Sequence, residues 1–376
     1  MTSALPIPAG LDDVPAAVDS ALAAFFAQAV PTAAAIDPQV GTAAAALAEF
    51  VLGGGKRVRP VFAYAGWLAG KSSHTAAEVP DDTDALRVAA ALELVQACAL
   101  IHDDIIDRSD TRRGRATVHR DFEQRHRWVG WTGDAAHHGV ATAILLGDLA
   151  LSWADDMVHG HLPGDTAGHQ PPHPLPAAVG QVWSSMRTEV LGGQYLDIVN
   201  EASGDDTVDA AYRVMEFKTA AYTVARPLEL GASLAGAPQT LIGDLRSVGH
   251  DLGIAFQLRD DLLGVFGDPA QTGKPSGDDL VAGKRTALLA VGLARAAERD
   301  PAVADTLRHS VGRPLTDDEV GTARAILTDV GARDEMEQRI SALLTSALDT
   351  LAAADLGDAV RAELVAFATR ISHRST

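Results

Sequence analysis

Residues 100–107 read LIHDDIID and residues 108–114 read RSDTRRG, in a chain that is otherwise rich in Ala, Leu and Val. Asp103 and Asp107 are four residues apart, so on a helix their side chains share one face, about one turn from each other. Carboxylates stacked in this way repel each other unless a cation lies between them. Few, hard oxygen ligands suit Mg²⁺, and the Arg112-Arg113 pair suits phosphate oxygens. The stretch therefore predicts a magnesium and phosphate site at the end of a helix.

A solvated, acidic helix end is the alternative interpretation of this stretch. It fits poorly, because residues 97–101 (ACALI) directly before it are too apolar for an exposed helix. The apolar run instead indicates that the aspartates end a helix of the core.

Composition limits the classes of function. The chain has 376 residues, of which 47% are hydrophobic and 22% charged, as is ordinary for a globular protein. Its formal charge of −19 argues against nucleic acid or an anionic membrane surface as a partner. Cys98 is the single cysteine, which excludes an intrachain disulfide and favours a cytoplasmic location.

Neither a targeting segment nor a membrane span is expected. Asp12, Asp13 and Asp19 precede or adjoin the apolar stretch 21–30, where a signal peptide would carry positive charge. Uninterrupted apolar runs stay short of the roughly 20 residues that a membrane span needs.

The periodicity predicts an all-α chain, because helical spacing recurs and strand-like alternation does not. We expect one domain over residues 1–376, with frayed ends at 1–10 and 371–376 and a surface loop insertion at 160–174. The four histidines in and beside that loop match no tetrahedral metal spacing, so a solvated loop is favoured over a metal site; they are His159, His161, His169 and His173. The predicted helices are 11–29, 38–52, 57–69, 83–107, 134–158, 175–200, 207–217, 219–235, 239–266, 284–299, 316–330, 332–352 and 355–372.

A second acidic motif, FQLRDDLLG, occupies residues 256–264. Asp260 and Asp261 again follow a buried-looking stretch near the end of a long apolar helix. A single aspartate pair is common on helix surfaces, but opposed carboxylates in a helical bundle are a recurrent way to hold metal ions. The two motifs together therefore strengthen the prediction of a metal site.

Cations cluster beside glycines and hydroxyls. Residues 53–60 read GGGKRVRP, which places three cations after a glycine run at a helix start, where backbone N–H groups favour an anion. The spacing is not that of a Walker loop. Lys218-Thr219, Lys274 and Lys284 are also expected at junctions between loops and helices, and this shared placement favours phosphate ligands over ordinary surface charges.

These motifs, in this order, resemble the trans-isoprenyl diphosphate synthases, also called polyprenyl synthetases, and most of all the bacterial geranylgeranyl diphosphate synthases. The resemblance covers nearly the whole chain from the glycine run to Lys284. Its matching pieces are GGGKRVRP at 53–60, LIHDDIID at 100–107 with RRG at 112–114, GGQYLD at 192–197, Lys218-Thr219, FQLRDD at 256–261 and GKPSGDDLVAGKRT at 273–286.

The resemblance implies the isoprenoid synthase fold, a single helical bundle around a central active-site cavity, and a homodimer. It also implies that three Mg²⁺ ions bind the allylic diphosphate through Asp103, Asp107 and Asp260. Asp104 and Asp261 would support these ligands and count as catalytic, together with Lys218, Thr219 and Gln257. The allylic diphosphate would be surrounded by Arg112, Lys218, Thr219, Gln257, Lys274 and Lys284. The second substrate, isopentenyl diphosphate, would be held by Lys56, Arg59, Gln96 and Arg113.

Three departures from the family pattern stand out. Gly264 takes the place of a third aspartate in the second motif, so that carboxylate is lost. Gln96 stands where many relatives carry a histidine, and it can still donate a neutral hydrogen bond. The spacing from Asp103 to Asp107 lacks the two-residue insertion of many bacterial short-chain members.

Product length is expected to depend on Cys98 and Ala99, five and four residues before Asp103. Farnesyl-making relatives tend to carry an aromatic residue there, so these small side chains favour the C20 product, with C15 or C25 as alternatives. Trp153 and Met157 are candidates for the floor of the tunnel, although ordinary core packing explains them as well. A class I terpene cyclase and a silent regulatory subunit are the rival functions. The first would not need residues 53–60, and the second usually loses carboxylates that this chain keeps.

Overall fold

The computed structural model describes residues 6–72, 81–161, 175–268 and 277–372, and the predicted all-α class is confirmed. The first helices are α1 (Val14–Ala34), α2 (Pro38–Leu52), α3 (Val58–Ser72), α4 (Asp82–Ile106), α5 (Val118–Val129), α6 (Ala135–His159), α7 (Ala177–Ser203) and α8 (Val208–Val214). A π-helix (Met215–Ala225), α9 (Arg226–Leu234) and α10 (Gln239–Phe266) follow. The remaining helices are α11 (Asp278–Ala282), α12 (Ala287–Arg299), α13 (Pro301–His309), α14 (Asp317–Asp329), α15 (Ala332–Ala353) and α16 (Asp358–Ser372). A 3₁₀ turn (Leu11–Asp13) precedes α1, and one hairpin pairs β1 (Thr111–Arg112) with β2 (Arg115–Ala116).

The backbone divides into two compact units. The first contains Met1–Leu68, Thr75–Gly180 and Ser233–Gly236, and the second contains Ala69–His74, Gln181–Ala232 and Ala237–Thr376. The first aspartate motif belongs to the first unit and the second motif to the second unit. The prediction of a single domain around one cavity stays a prediction.

Helix α4 is the core helix of the first unit and carries the first motif. Asp81 caps its N-terminus by accepting hydrogen bonds from the N–H groups of Thr83 and Asp84. Apolar residues lie on every side of it, and side chains such as Leu92 and Leu94 are fully buried. A helix that is apolar all round gains stability only inside a core, so the sequence that precedes Asp103 dictates burial of the helix.

Helix α10 carries the second motif in the second unit, and glycines let it approach the π-helix closely. A Cβ on Gly249 would lie 2.4 Å from Cα of Ala225, and a Cβ on Gly253 would lie 2.6 Å from Cα of Ala220. Only glycine leaves room for such backbone contact. Farther along α10, its residues Leu258 and Leu262 belong to one apolar core. This core also contains buried residues of α12, α14 and α15.

Several predicted boundaries are wrong. Lys218 and Thr219 do not separate two helices but lie inside the π-helix, which joins α8 and α9 into one helical run. Lys284 precedes its helix, which begins only at Ala287. Helix α5 and α13 were not predicted, because α5 is strongly polar and α13 is only nine residues long.

The predicted ends and loop are described only in part. Residues 6–10 precede the first turn, and residues 371–372 close α16. Gly160 ends α6 in the left-handed conformation with φ of 75°. Residues 1–5, 162–174 and 373–376, with His169 and His173, lie outside the described residues.

Two helical stretches, Leu11–Ala34 and Asp82–Ile106, are long and apolar enough to cross a membrane by length and composition. The expectation concerned uninterrupted apolar runs, and polar residues such as Asp19 and Glu93 interrupt both stretches. The evidence for a span is weak, because buried core helices pass the same test and 72% of the apolar window in Asp82–Ile106 is buried inside the protein.

Candidate active site

The carboxylates of Asp103 and Asp107 share one face of α4. Asp107 ends the helix with αR backbone angles (φ −79°, ψ −2°), and its N–H donates to the carbonyl of Asp103 over 2.8 Å. The helical turn therefore continues through the motif, as its spacing predicted. Asp107 is exposed, and 23% of the Asp103 side chain is exposed. Both carboxylates can meet a solvent-borne ligand.

Asp104 has different surroundings, since only 1% of it is exposed. The Arg112 Nε donates to Oδ1 and Oδ2 of Asp104 over 2.8 and 2.9 Å, and its Nη2 lies 2.7 Å from Oδ1. The same Nη2 lies 3.5 Å from Oδ2 of Asp103. Burial raises the pKa of Asp104, while the hydrogen bonds and charge of Arg112 oppose that rise. Asp104 thus anchors the arginine beside the half-buried Asp103.

The hairpin explains how Arg112 reaches the motif. Arg112 pairs with Arg115 across a two-residue turn, and both turn residues, Arg113 and Gly114, have positive φ (53° and 74°). Positive φ at both central positions is the signature of the tight turn that joins antiparallel strands. The turn also directs Arg113 Nη1 to the carbonyl oxygen of Gly54. The hairpin therefore brings the glycine run and the arginine pair together.

A buried arginine holds the other side of the glycine run. Arg57 is 4% exposed; its Nη1 lies 2.6 Å from Oε2 of Glu93, its Nε donates to Asp19 over 2.8 Å, and its Nη2 donates to the carbonyl of Val51 over 2.7 Å. It has a φ of 47°, a conformation that non-glycine residues rarely adopt. Arg57 thus ties the loop to α1, α2 and α4. The sequence counted Arg57 among the three cations of residues 53–60 but assigned it no role, although Glu93 on an apolar helix was a signal for a buried partner.

Positive charge accumulates around this loop. Lys56 is exposed and Arg59 is half-buried. Burial, followed by the charge of Arg57, lowers the pKa of Arg113, which indicates cations that are close enough to repel one another. Gln96 is half-buried and lies three residues after Glu93, on the same side of α4. These surroundings suit an anion of high charge.

In the second motif, as in the first, solvent reaches one aspartate while the next aspartate is buried. Asp260 is exposed, whereas Asp261 is only 3% exposed. Asp261 accepts hydrogen bonds from Nε2 of Gln257 over 2.8 Å and from the N–H of Ala287 over 3.2 Å. Burial raises the pKa of Asp261 to about 7, with the charges of Asp279 and Asp260 adding to the rise. Gln257, expected to contact diphosphate, here orients Asp261, and Asp261 fixes the segment that begins at Ala287.

Lys218 is positioned by a contact between helices. A Cβ on Gly193 of α7 would lie 2.3 Å from the backbone N of Lys218, so only glycine admits the π-helix there. The Lys218 Nζ lies 2.6 Å from Oδ2 of Asp197, one turn farther along α7. Thr219 is half-buried next to it. The GGQYLD motif therefore supplies both the close approach and the counter-charge, and π-helical segments often mark functional sites.

Of the two remaining lysines, Lys284 lies with its Nζ 3.1 Å from Oδ1 of Asp279. Lys274 lies outside the described residues. Asp279 was not singled out from the sequence, although its place beside Asp278 in GKPSGDDLVAGKRT is a third acidic pair.

The carboxylates that solvent can reach fit Mg²⁺ by their chemistry. Asp103, Asp107 and Asp260 offer hard oxygen atoms, and each aspartate pair keeps its second member buried and hydrogen-bonded. Across the described ranges, no three His, Cys, Asp or Glu side chains come together as a complete metal site. Mg²⁺ commonly takes one or two carboxylates and completes its shell with water and phosphate oxygens.

The residues expected to limit product length lie on facing helices. Cys98 is buried and Ala99 is half-buried on α4. Helices α4 and α6 run antiparallel, because Arg87 donates to the carbonyl of Met157 and His102 contacts the carbonyl of Ile144. This register places Trp153 opposite Leu92, roughly 9 Å farther from Asp103 along α4 than Cys98.

Two aromatic side chains of α1 surround Trp153 in the first unit. The Trp153 ring packs edge-on against Phe25 and Phe26 of α1, at centroid distances of 5.9 and 6.0 Å. Met157, the second floor candidate, is buried one turn farther along α6. The phenylalanines were missed from the sequence, because their contact with Trp153 joins helices far apart in the chain.

Comparison with known proteins defines the class of protein. Residues 42–327 match the polyprenyl synthetase family. The chain is also 31% identical, over 84% of its length and 89% of the relative, to geranylfarnesyl diphosphate synthase of Aeropyrum pernix. The chain therefore belongs to the polyprenyl synthetase family, and it is a trans-prenyltransferase. Members of this family bind isopentenyl and allylic diphosphates and depend on magnesium.

Two further comparisons, with one solved structure and one curated relative, concern the fold and the product. The crystal structure of geranylgeranyl pyrophosphate synthase from Corynebacterium glutamicum, complexed with isoprenyl diphosphate and magnesium, superposes with a TM-score of 0.87 at 48% identity and covers 97% of this chain and 99% of that one. The isoprenoid synthase fold is thereby confirmed. The chain is 33% identical to (2E,6E)-farnesyl diphosphate synthase of Mycobacterium bovis, over 82% of its length and 77% of the relative. These relatives differ in product, so the family alone does not assign one.

Proposed function

We propose that the chain condenses isopentenyl diphosphate with an allylic diphosphate of 5 to 15 carbons and releases mainly geranylgeranyl diphosphate (C20). The observation that carries the product assignment is the pair of small residues, Cys98 and Ala99, on the buried helix before the first motif. A similar synthase of known structure bears the geranylgeranyl name. Farnesyl (C15) and geranylfarnesyl (C25) diphosphates are the alternatives, since relatives of comparable identity carry those names.

The allylic diphosphate is held, in this proposal, by Asp103, Asp107 and Asp260 through three Mg²⁺ ions. Mg²⁺ supplies positive charge to the departing diphosphate when it is bound. Arg112 adds a guanidinium whose position is fixed by the buried Asp104. The other residues assigned to this diphosphate are Lys218, Thr219, Gln257, Lys274 and Lys284.

Isopentenyl diphosphate is assigned to the cation-rich loop of the first unit. Lys56, Arg59 and Arg113 would neutralise its charge, and Gln96 would donate a hydrogen bond. The contact of Arg113 with Gly54 keeps the hairpin against this loop. The loop is therefore preorganised, which reduces the ordering that binding requires.

Ionisation of the allylic C–O bond leaves a cation that water would quench, so the chain must exclude water. The apolar surface of α4 before Asp103 provides that environment. The isopentenyl double bond attacks the cation, a new C–C bond forms, and a proton leaves, with the released diphosphate as the proposed acceptor. Charge on Arg112 and Lys218 stabilises the leaving diphosphate.

The test is incubation with isopentenyl diphosphate, Mg²⁺ and a C5, C10 or C15 allylic primer, followed by dephosphorylation and chromatography. We expect consumption of isopentenyl diphosphate and a main C20 alcohol. A main C15 or C25 alcohol would refute the product assignment. Hydrocarbon release without isopentenyl diphosphate would indicate a cyclase, and no turnover at all would indicate a silent subunit.

Substitutions test the role of the residues before the motif. Cys98→Phe or Ala99→Phe should shift the main product to C15, because an aromatic ring would block the growing chain. Cys98→Ala is the matched control, since it keeps the side chain small and should leave the product unchanged. An unchanged product from both phenylalanine variants would remove these residues from the tunnel wall.

We also propose that the chain is a homodimer. Exposed apolar side chains on α5 and α6 support a partner surface: Trp128 is 89% exposed, Leu145 67% and Ile144 44%. Light scattering after size exclusion should give twice the chain mass of 39.2 kDa. Leu145→Glu should raise the monomer fraction, and a monomeric wild-type chain would refute the proposal.

A cytoplasmic location without a membrane span is the last part of the proposal. The buried setting of α4 supports it, since that helix is used in the core of its unit. Fractionation of expressing cells should leave the chain in the supernatant after ultracentrifugation. Retention in the membrane pellet after a carbonate wash would refute it.

A further inference from the structure

The second motif lacks its third carboxylate, because Gly264 stands at that position. Gly264 follows Asp260 by four residues on α10, so a side chain there would lie on the same face of the helix as Asp260. An aspartate at 264 would extend the acidic face that begins at Asp260. The glycine removes that carboxylate.

Another carboxylate lies in the vacated space. A Cβ built on Gly264 would lie 1.8 Å from Oδ2 of Asp279 and 2.4 Å from its Cγ. Asp279 is 9% exposed and belongs to the short helix Asp278–Ala282. A real Cβ contact under 3.0 Å essentially never occurs, so any side chain at 264 and the present position of Asp279 exclude each other.

The backbone holds Asp279 and Lys284 in a fixed relation. Gly283 ends the short helix with φ of 82°; its N–H donates to the carbonyl of Leu280, and the N–H of Lys284 donates to the carbonyl of Asp279 over 3.0 Å. This pair of hydrogen bonds is the Schellman arrangement, which fixes the chain leaving a helix. It places the Lys284 Nζ 3.1 Å from Oδ1 of Asp279.

We propose that Asp279 supplies the carboxylate that the second motif lacks at position 264, and that it positions Lys284 for the diphosphate. Gly264 is then required as the residue that admits Asp279 against α10. One oxygen of Asp279 lies over Gly264 and the other meets the lysine, so a single side chain serves both purposes. The inference rests on the proposed function, since it assumes that this face binds a magnesium-bound diphosphate.

The exclusion between the two residues is tested first by stability. Gly264→Ala should have a lower melting temperature than the control Gly243→Ala, because its Cβ overlaps the Asp279 carboxylate and displaces it. The double variant Gly264→Ala/Asp279→Ala should recover most of that loss. Gly243→Ala is the matched control on the same helix, where a Cβ would meet nothing within 4 Å, and it should not lower the melting temperature. Equal losses in the single and double variants would overturn the geometry.

Whether Asp279 supplies the carboxylate missing at position 264 is tested by calorimetric binding of inorganic pyrophosphate with and without Mg²⁺. Asp279→Ala should weaken magnesium-dependent binding at least tenfold, whereas the control Asp278→Ala should leave it unchanged. Gly264→Asp/Asp279→Ala, which moves the carboxylate back to α10, should bind more tightly than Asp279→Ala alone.

Two results would overturn the role of Asp279 as the missing carboxylate. One is wild-type affinity in Asp279→Ala, and the other is no gain in affinity in Gly264→Asp/Asp279→Ala. A wild-type chain that fails to bind pyrophosphate with Mg²⁺ would overturn the proposed function, and this inference with it. The two failures are distinguished by the wild-type measurement.

Discussion

Replacement of Gly193 by alanine tests how the structure positions Lys218. The added Cβ would lie 2.3 Å from the backbone N of Lys218 and 2.7 Å from its Cα, where ordinary contact begins at 3.4 Å. Because the obstructing atoms belong to the backbone, no side-chain rotation relieves the overlap. The π-helix must move away from α7 by about 1 Å, the difference between 2.3 and 3.4 Å.

Two opposing terms set the effect on stability. Overpacking of this kind costs about 1–3 kcal/mol. Alanine in place of glycine inside a helix stabilises it by about 0.8–1.0 kcal/mol. The free energy of unfolding of Gly193→Ala should therefore fall by about 0–2 kcal/mol.

The adjacent Gly192 separates these terms. It is exposed, and a Cβ there would meet nothing within 4 Å, so Gly192→Ala experiences only the gain in helix propensity. The difference in unfolding free energy between the two variants should then equal the overpacking cost, about 1–3 kcal/mol. Urea unfolding followed by circular dichroism measures both values.

The effect on turnover should exceed the effect on stability. A shift of 1 Å separates Lys218 from Asp197, which it meets at 2.6 Å, and misplaces the cation that we propose faces the diphosphate. A displacement of that size can cost about 10²-fold in rate. Steady-state kinetics with isopentenyl diphosphate and an allylic primer should show this loss in Gly193→Ala and full activity in Gly192→Ala. Equal activity and stability in the two variants would refute the reasoning.

Three further predictions concern other parts of the chain. Arg57→Met should lower the free energy of unfolding by about 3–5 kcal/mol in urea titrations, because Glu93 is left buried without its partner, and Arg57→Met/Glu93→Gln should recover part of it; a loss below about 1 kcal/mol would contradict this. Burial raises the pKa of Cys98 to about 12, so at pH 8 only about one thiol in 10⁴ is ionised. Iodoacetamide should therefore label the folded chain at least ~100-fold more slowly than the urea-unfolded chain, as followed by mass spectrometry. Comparable labelling rates would show that α4 opens readily. Thr316→Ala removes the capping box with Glu319 and should cost about 1 kcal/mol of unfolding free energy with unchanged turnover; an unchanged melting curve would show that this cap contributes nothing.

The sequence predicted the local features well. The four-residue spacing of Asp103 and Asp107 places both on one helix face whatever the rest of the fold does, since an α-helix fixes that relation. The apolar composition of residues 83–102 likewise required burial. Motif order identified the family, and the match over residues 42–327 confirms it.

The sequence failed where the backbone departs from the common geometries. The sequence placed Lys218 and Thr219 at a junction between two helices. The structure instead continues through a π-helix, held by Gly193 of α7 and by Gly249 and Gly253 of α10. Those three glycines lie on other helices, so the local sequence around Lys218 carries no sign of them.

Tertiary structure also decided which member of each aspartate pair meets solvent and which is buried. Asp103 and Asp104 are adjacent and identical in type, yet Arg112, brought in by a hairpin, selects Asp104 as its partner. In the same way Arg57 meets Glu93 from 36 residues away, and Asp279 occupies the space that Gly264 leaves. The sequence thus determined the chemistry and its family, because spacing along a helix is a local property. Folding decided the partners, because ion pairs and close contacts join residues that only the packed chain brings within a few ångströms.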